Sequence, residues 1–319
     1  MSLIFFDMEG PLSTHDNIRA LMKLIPNGSD ILEVIRRYDR QRSTADDDYY
    51  DPGDELALIA PFLIFRSVTS ETIANLADDA AIVDGAIDLI RSLSGWQVFC
   101  ISTSYEQYAG RITERVGISG DHVACTAFPL ERIKALATEE DYSRIAAFES
   151  EMLDMQSADD KAIKSRLERF FREELVQTDF GKAVRGIKPM GGRKKAAALR
   201  NFARIRGVLP EQCVVIGDGV TDSRMLESVH IPGGLSIAFN GNEHALPYAT
   251  IGLASTDICD LKPALDAWPE GGRDAVKRFV ESQSGLNRFQ WLADAPDFEE
   301  ALQTHLDARQ RVRGAAGLD

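Results

Sequence analysis

Six short apolar runs, separated by stretches with helical periodicity, most constrain the fold of this 319-residue chain. Each run is nearly continuous in apolar, often β-branched residues, which is typical of strands buried on both faces of a parallel sheet. The runs are 2–6, 97–101, 123–128, 213–216, 235–239 and 250–253. Helical patterns lie between them at 84–93, 105–116, 194–206 and 221–229. This alternation predicts a doubly wound α/β domain with a parallel sheet.

Two segments interrupt the alternation. The segment 16–82 has apolar residues at helical spacing and the acidic loop STADDDYYDPGDE. The segment 129–187 predicts long charged helices whose apolar positions repeat every three or four residues, as in an antiparallel helix pair. We therefore predict four parts: an α/β core from 1–15, 83–128 and 188–268, a helical cap at 16–82, a second helical insertion at 129–187, and a helical C-terminal extension at 269–319.

Composition excludes several functional classes. The formal net charge is −14 and the isoelectric point about 4.9, so the surface repels nucleic acid. No apolar run approaches the roughly 20 residues of a membrane helix, and the N-terminus lacks the features of a signal peptide. The four cysteines are widely spaced, as expected of buried reduced thiols. We therefore expect a cytoplasmic protein with neither nucleic-acid nor membrane partners.

Carboxylates follow two of the predicted strands. Asp7 and Glu9 come directly after the first run, and Asp218 and Asp222 follow the fourth in the sequence GDGVTD. Because parallel strands end at the same edge of a sheet, these acids converge there. Carboxylates held so close repel one another unless a cation lies among them, and oxygen ligands without His or Cys favour Mg²⁺. The sequence therefore predicts a magnesium site at this edge.

Four motifs in order carry a family resemblance. They are LIFFDMEGPL, VFCISTS, RKKAAAL and VVIGDGVTD, and the later stretch LSIAFNGNEHALPYA extends it. This series resembles the haloacid dehalogenase superfamily of phosphohydrolases, and is nearest to phosphoserine phosphatase-like members, with an Asp-x-Glu variant of the first motif. The resemblance implies a Rossmann-like core with a helical cap. It also implies a Mg²⁺-dependent phosphatase acting on a small phosphorylated metabolite.

The resemblance assigns roles to individual residues. Asp7 would be the nucleophile that forms an aspartyl-phosphate, and Glu9 would be the general acid and base. Ser102 would donate a hydrogen bond to a phosphoryl oxygen. A lysine would neutralise the charge of the intermediate; the spacing favours Lys195, with Lys194 as an adjacent competitor.

The resemblance also implies the ligands of the metal. Asp7 and Asp218 would bind Mg²⁺ with their carboxylates, and Glu9 with its backbone carbonyl. Asp222 would orient the lysine or hold metal-bound water. The first motif departs from the family pattern at two positions: Glu9 replaces the usual Asp, and Pro11 replaces the usual Thr.

Candidates for substrate binding follow from the same comparison. Asp16 lies nine residues after Asp7, where phosphoserine phosphatases place a Glu that holds the substrate's amino group. An equally good interpretation makes Asp16 the N-cap of a helix. Further candidates are Thr103, Ser104 and Asn240. An arginine for a substrate carboxylate stays open among Arg36, Arg37, Arg40, Arg42 and Arg66.

Two other functions are compatible with the sequence. A phosphotransferase would pass the phosphoryl group from the same aspartyl intermediate to an acceptor other than water. A catalytically silent relative would bind a partner through the helical insertion, as a regulatory protein. The second insertion is also a candidate second cap or homo-oligomer contact.

Overall fold

The structure is a computed structural model that describes residues 2–43, 50–283, 288–294 and 298–314. Within these residues, seven strands form one sheet in the order β3-β2-β1-β4-β5-β6-β7. The first six strands are parallel, and β7 is antiparallel to β6. Their bounds are Ser2–Phe6, Trp96–Tyr105, Val123–Thr126, Cys213–Gly217, Leu235–Phe239, Ile251–Leu253 and Phe289–Trp291. The predicted α/β class with a parallel sheet is therefore confirmed.

Burial on both faces explains the continuous apolar runs. In β1, Leu3 and Phe5 pack into one hydrophobic cluster, whereas Ile4 and Phe6 pack into another. The chain runs outward from β1 through β2 to β3 and then returns to β4 on the opposite side of β1. Strand order therefore reverses between β1 and β4, which is where sheets of this type bind ligands.

Helices cover the sheet on both sides. Those connecting core strands are α5 (Ala86–Ser92), α6 (Glu106–Val116), α11 (Gly192–Arg206) and α12 (Ser223–His230). The N-terminal segment before them contains α1 (Asn17–Met22), α2 (Gly28–Ser43), α3 (Glu55–Phe65) and α4 (Ser70–Asp78). The second insertion contains α7 (Leu130–Lys134), α8 (Glu139–Asp154), α9 (Asp160–Arg169) and α10 (Asp179–Arg185).

The two helical insertions pack against each other. Helix α2 contacts both α8 and α9, and α3 contacts α8. The periodic apolar positions of the second insertion are buried as the spacing predicts, except for the partly exposed Phe171. The Phe148 and Phe170 rings stack at 3.7 Å between centroids. Helices α8 and α9 thus pack their apolar faces against α2 and α3 as well as against each other. The second insertion is therefore more than an isolated antiparallel helix pair.

Ion pairs across this contact account for three of the open arginines. Arg37 pairs with Asp160 at 2.5 Å, and Arg42 pairs with Glu168 at 2.6 Å. Separately, Arg66 pairs with Glu149 at 2.5 Å. In addition, Arg40 pairs with Glu33 on its own helix. Arg37, Arg42 and Arg66 therefore join different helices, whereas the Arg40 pair lies within α2. Arg36 alone of the five lines the cavity at the carboxyl edge of the sheet.

The C-terminal segment contains α13 (Lys262–Ser282), β7 and α14 (Phe298–Arg313). The sequence predicts only helix there, whereas Phe289–Trp291 pairs with Ile251–Leu253 as the edge strand. A three-residue strand is too short for its periodicity to be recognised, and it forms because β6 offers a free edge. Across the described residues, no single helix meets the length and hydropathy of a membrane span, although α3 and α4 together do, bent by 116°.

A buried histidine docks α14 on the sheet. His305 is fully buried, and its Nδ1 accepts a hydrogen bond from the Gly241 backbone N–H at 2.9 Å. Its Nε2 lies 3.0 Å from Oε1 of Gln290 and therefore carries the proton. Gly252 permits this approach, because a Cβ there would lie 2.4 Å from the ring. Burial lowers the pKa of His305 to about 3, so the ring stays neutral in the folded chain.

This histidine makes stability depend on pH in a defined direction. The unfolded chain binds a proton at His305 below about pH 6.5, whereas the folded chain does not until about pH 3. The free energy of unfolding therefore falls as the pH drops through this window, by up to about 1.4 kcal/mol per pH unit. We expect His305→Gln to lose this part of the pH dependence in urea unfolding measured between about pH 7 and pH 5.

The exposed His244 provides the control. His244→Gln should keep the wild-type pH dependence because its side chain remains in water. Identical pH slopes for wild type and His305→Gln would show that His305 is not held neutral by burial.

Candidate active site

The loops after β1 and β4 meet at the reversal of strand order. The backbone N–H of Asp7 donates to the carbonyl of Ile216 at 2.8 Å, which continues the strand pairing into the loop. Gly10 has a φ of +113°, and a Cβ there would lie 2.4 Å from the carboxyl carbon of Asp218. Only glycine allows this contact, so Gly10 brings the two acidic loops together.

A buried lysine links two of the predicted acids. Lys195 Nζ donates to Oδ1 of Asp7 at 2.5 Å and to Oδ1 of Asp222 at 2.7 Å. Its side chain is only 1% exposed. Lys194 is one-third exposed and pairs with Asp51 and Asp54 instead. Of the two lysines left open by the sequence, the structure brings Lys195 to the acids.

Burial and neighbouring charges shift the pKa values of Asp7 and Lys195. Burial raises the pKa of Asp7 well above its usual value; Asp222 and Asp218 raise it further, and Lys195 lowers it. Burial lowers the pKa of Lys195, but Asp222 and Asp7 outweigh this effect and hold its pKa above the ordinary value. The lysine therefore stays protonated between the two acids.

Asp222 also fixes the loop that carries Asp218. Its Oδ2 accepts the backbone N–H of Asp218 at 2.9 Å and of Gly219 at 3.1 Å. Asp222 thus orients both Lys195 and the loop.

Glu9 faces a different part of the site. Its Oε1 accepts from the Ser104 hydroxyl at 2.7 Å, and its Oε2 accepts from the Asn17 backbone at 3.3 Å. Burial raises the pKa of Glu9, and the nearby Asp16 raises it further. Glu9 is therefore suited to carry a proton. Its carboxylate is bonded away from the acid cluster, so metal binding by Glu9 would involve only its backbone, as the resemblance implies.

The three residues predicted after the second run lie together. Ser102 is buried and its Oγ accepts the backbone N–H of Ser104 at 3.1 Å. The Thr103 hydroxyl donates to the carbonyl of Met190 at 3.1 Å. All three residues line the same cavity as Asp7 and Glu9.

Asp16 is the N-cap of a helix, and its carboxylate also lines the cavity. It caps α1, with Oδ1 accepting the Arg19 backbone N–H at 2.9 Å. Its Oδ2 accepts from Arg36 at 2.6 Å, and the carboxylate lines the cavity. Although burial raises the pKa of Asp16, Arg36 outweighs it, so the net pKa is lowered. The neighbouring Glu55 has a pKa raised to about 8, by burial and then by Asp39.

The side chain of Asn240, a predicted substrate-binding residue, joins two loops. Its amide donates to the Ser255 carbonyl at 2.8 Å and accepts the Ser255 backbone N–H at 2.9 Å. Both polar atoms are engaged in holding two loops together, with Asn240 at a φ of +49°. Asn242, two residues later, lines the cavity instead.

Two arginines of α14 were missed by the sequence analysis. Arg309 and Arg313 both donate to Oδ2 of Asp218, the latter at 2.9 Å. Their side chains are 7% and 10% exposed, and the buried Nε of Arg313 has no hydrogen-bond partner among the residues that the structure describes. With His305 they lie four residues apart on one helical face. The spacing His-x₃-Arg-x₃-Arg was visible, but such a face normally indicates a solvated helix.

These groups surround a cavity of about 170 Å³ at the carboxyl edge of the sheet. One carboxylate oxygen each of Asp7, Asp218 and Asp222 lie within 4.8 Å of one another. Buried carboxylates in this arrangement fit a hard cation such as Mg²⁺. Arg309 and Arg313 contact the same Asp218 carboxylate group, so cation binding there would take place beside two positive charges.

Known proteins resemble this chain in sequence and in fold. No family model matches the sequence. A phosphoserine phosphatase from Archaeoglobus fulgidus is 24% identical over 265 residues, which cover 82% of this chain but only 59% of that relative. A solved structure of a gene product from the same organism has a TM-score of 0.88 at 25% identity, covering 99% of this chain and 98% of that one. A phosphoserine phosphatase in apo form has a TM-score of 0.53 at 15% identity, covering 82% and 98%.

The structural similarities confirm the predicted Rossmann-like α/β fold. They also confirm the resemblance to phosphoserine phosphatases. The chain spans less than two thirds of the length of this curated relative.

Replacing each of the two adjacent lysines by methionine should change the free energy of unfolding by different amounts. Lys195→Met leaves two buried carboxylates without their cation, which costs roughly 3–5 kcal/mol of unfolding free energy. Lys194→Met removes a partly exposed ion pair and should cost at most about 1 kcal/mol. Urea unfolding at neutral pH measures both. Equal losses in the two variants would contradict the burial of Lys195 between the acids.

Proposed function

We propose that this chain, with its haloacid dehalogenase-type fold and resemblance to phosphoserine phosphatases, is a Mg²⁺-dependent phosphatase for a small phosphorylated metabolite. The observation that carries the proposal is the buried chain of contacts from Asp7 through Lys195 to Asp222, where strand order reverses. It supplies a nucleophile, a fixed positive charge and an orienting acid next to Asp218.

The carboxylates of Asp7 and Asp218 would hold the metal, with Asp222 beside them. Bound Mg²⁺ supplies positive charge that lowers the repulsion between an anionic nucleophile and an anionic phosphate. The backbone carbonyl of Glu9 would complete the protein's ligands, as in the resemblance.

In the first step, a carboxylate oxygen of Asp7 forms a bond to phosphorus as the bond to the leaving oxygen breaks. Glu9 gives its proton to that oxygen, which its raised pKa supports. Lys195 holds the Asp7 carboxylate in position, and Ser102 would donate a hydrogen bond to a phosphoryl oxygen.

In the second step, water attacks the phosphorus of the aspartyl-phosphate. Glu9, now deprotonated, accepts the proton of that water, and the bond from phosphorus to Asp7 breaks. Inorganic phosphate leaves and the starting carboxylate is restored.

The size and lining of the cavity support a small substrate that carries a further polar group besides its phosphate. Its volume of about 170 Å³ accommodates only a few atoms besides the phosphate. Asp16 and Glu55 present carboxyl groups, while Arg36 presents a cation. Thr103 and Ser104 would add hydroxyl contacts. A substrate with an amino group, such as phosphoserine, fits this mixture and is the first to test.

One observation favours the catalytically silent alternative. Arg309 and Arg313 already place positive charge on Asp218, so this carboxylate is neutralised within the protein itself. A protein of this kind would bind phosphate groups or a partner without hydrolysis.

Phosphate release from p-nitrophenyl phosphate and a metabolite panel that includes phosphoserine tests the proposal. We expect turnover that requires Mg²⁺ and disappears with a chelator. Asp7→Asn should reduce it by at least roughly a thousandfold because the nucleophile is lost. The exposed Asp88 provides the control, and Asp88→Asn should retain full activity.

Two results would redirect the proposal. Absence of turnover on every ester, in folded protein that binds Mg²⁺, would favour the silent alternative. Transfer of phosphate to an added alcohol in preference to water would identify a phosphotransferase.

A further inference from the structure

A second cavity, which we name the outer cavity, lies between the helical segments 16–82 and 129–187. Its volume is about 540 Å³. Helices α2, α3 and α10, the turn around Phe171 and the first residues of α11 line it. This volume lies within the range of about 300–1,000 Å³ that is typical of small-molecule sites. The proposed phosphatase chemistry makes no use of this space.

One part of the outer cavity is apolar. Tyr38 and Leu58 contribute from the cap, and Phe171 and Val184 from the second insertion. Tyr38 and Val184 are buried, whereas Leu58 and Phe171 keep part of their surface in contact with solvent. An apolar or aromatic group entering the cavity would cover this remaining surface.

The acids of the outer cavity are already paired. Asp51 accepts from Nε of Arg193 at 2.9 Å, and Asp54 lies 3.3 Å from Nζ of Lys194. These two acids and two cations offset each other's charge.

Three further cations line the outer cavity. Arg172, Arg185 and Lys188 are exposed, and no ion pair to them is found within the described parts of the chain. Counting only residues that the structure describes, the lining thus has five cations against two acids, in a chain whose formal net charge is −14. A local positive excess of three charges on so acidic a protein favours an anionic ligand.

We propose that the outer cavity is a second binding site, for a small organic anion with an apolar or aromatic body. The anionic group would contact Arg172, Arg185 and Lys188, which offer charge-assisted hydrogen bonds. The body would pack between Leu58 and Phe171. The cap and the second insertion both contribute to this site, which gives the second insertion a role beyond packing.

The outer cavity lies close to the catalytic one, so an experiment must separate them. Gly53 lines the catalytic cavity, whereas Asp51 and Asp54, on either side, line the outer one. In the same way, Lys194 lines the outer cavity and Lys195 contacts Asp7.

Calorimetric titration with naphthalene-1-sulfonate tests the proposal without using catalysis. This probe joins an aromatic body to an anion that a phosphatase cannot hydrolyse. We expect one site per chain. Naphthalene-1-methanol, with the ring alone, and sulfate, with the charge alone, should each bind at least about tenfold more weakly.

Three variants locate the bound probe. Arg185→Gln with Lys188→Gln should weaken binding by at least about tenfold, and both residues are exposed, so folding is preserved. Arg132→Gln with Arg200→Gln removes two exposed cations outside the cavity and should leave affinity unchanged. Arg313→Gln, in the catalytic cavity, should also leave it unchanged.

Several results would overturn the proposal. They are equal affinity in the two double variants, equal affinity for the uncharged probe, and loss of binding in Arg313→Gln alone. Because the readout is binding of a non-hydrolysable probe, failure here leaves the proposed phosphatase activity intact, and failure of that activity leaves this site intact.

Discussion

The structure depends on a buried set of alternating charges at the carboxyl edge of the sheet. Taking a charged group out of water costs several kcal/mol unless an opposite charge and hydrogen bonds replace the solvent. Each acid of this set has a positively charged partner in place of solvent. The set consists of Asp7, Asp218 and Asp222 with Lys195, Arg309 and Arg313. The fold brings them together from both ends of the chain, so the site and the stability of the tail helix rest on the same contacts.

The segments outside the sheet complete this arrangement. Helix α14 is docked by His305 and delivers its arginines to Asp218, while α1 brings Asp16 and the backbone N–H of Asn17 to Glu9. The cap and the second insertion are joined by buried aromatic rings and by ion pairs such as Arg42–Glu168. The segment 16–82 and α14 thus line the catalytic cavity, and the segments 16–82 and 129–187 line the outer cavity.

The sequence predicted the parts of this structure that follow from local pattern. Buried strands leave continuous apolar runs, and acids after β1 and β4 must share an edge in a parallel sheet. It could not predict β7, because three residues carry no periodicity, or the docking of α14, because arginines four residues apart normally indicate a solvated face. It also could not predict that the Asn240 side chain joins two loops, because its partner, Ser255, lies 15 residues away in the sequence.

The central claim of this account is that Asp7 becomes covalently phosphorylated during turnover. It is tested most directly by quenching the reaction with acid during turnover of a phosphate ester and mapping the phosphoryl group by peptide mass spectrometry. The account predicts phosphoryl on the peptide that contains Asp7, disappearing once the substrate is exhausted and absent from Asp7→Asn. The account would be contradicted if phosphate were released steadily with no phosphoryl group on that peptide, and if Asp7→Asn released phosphate at the same rate.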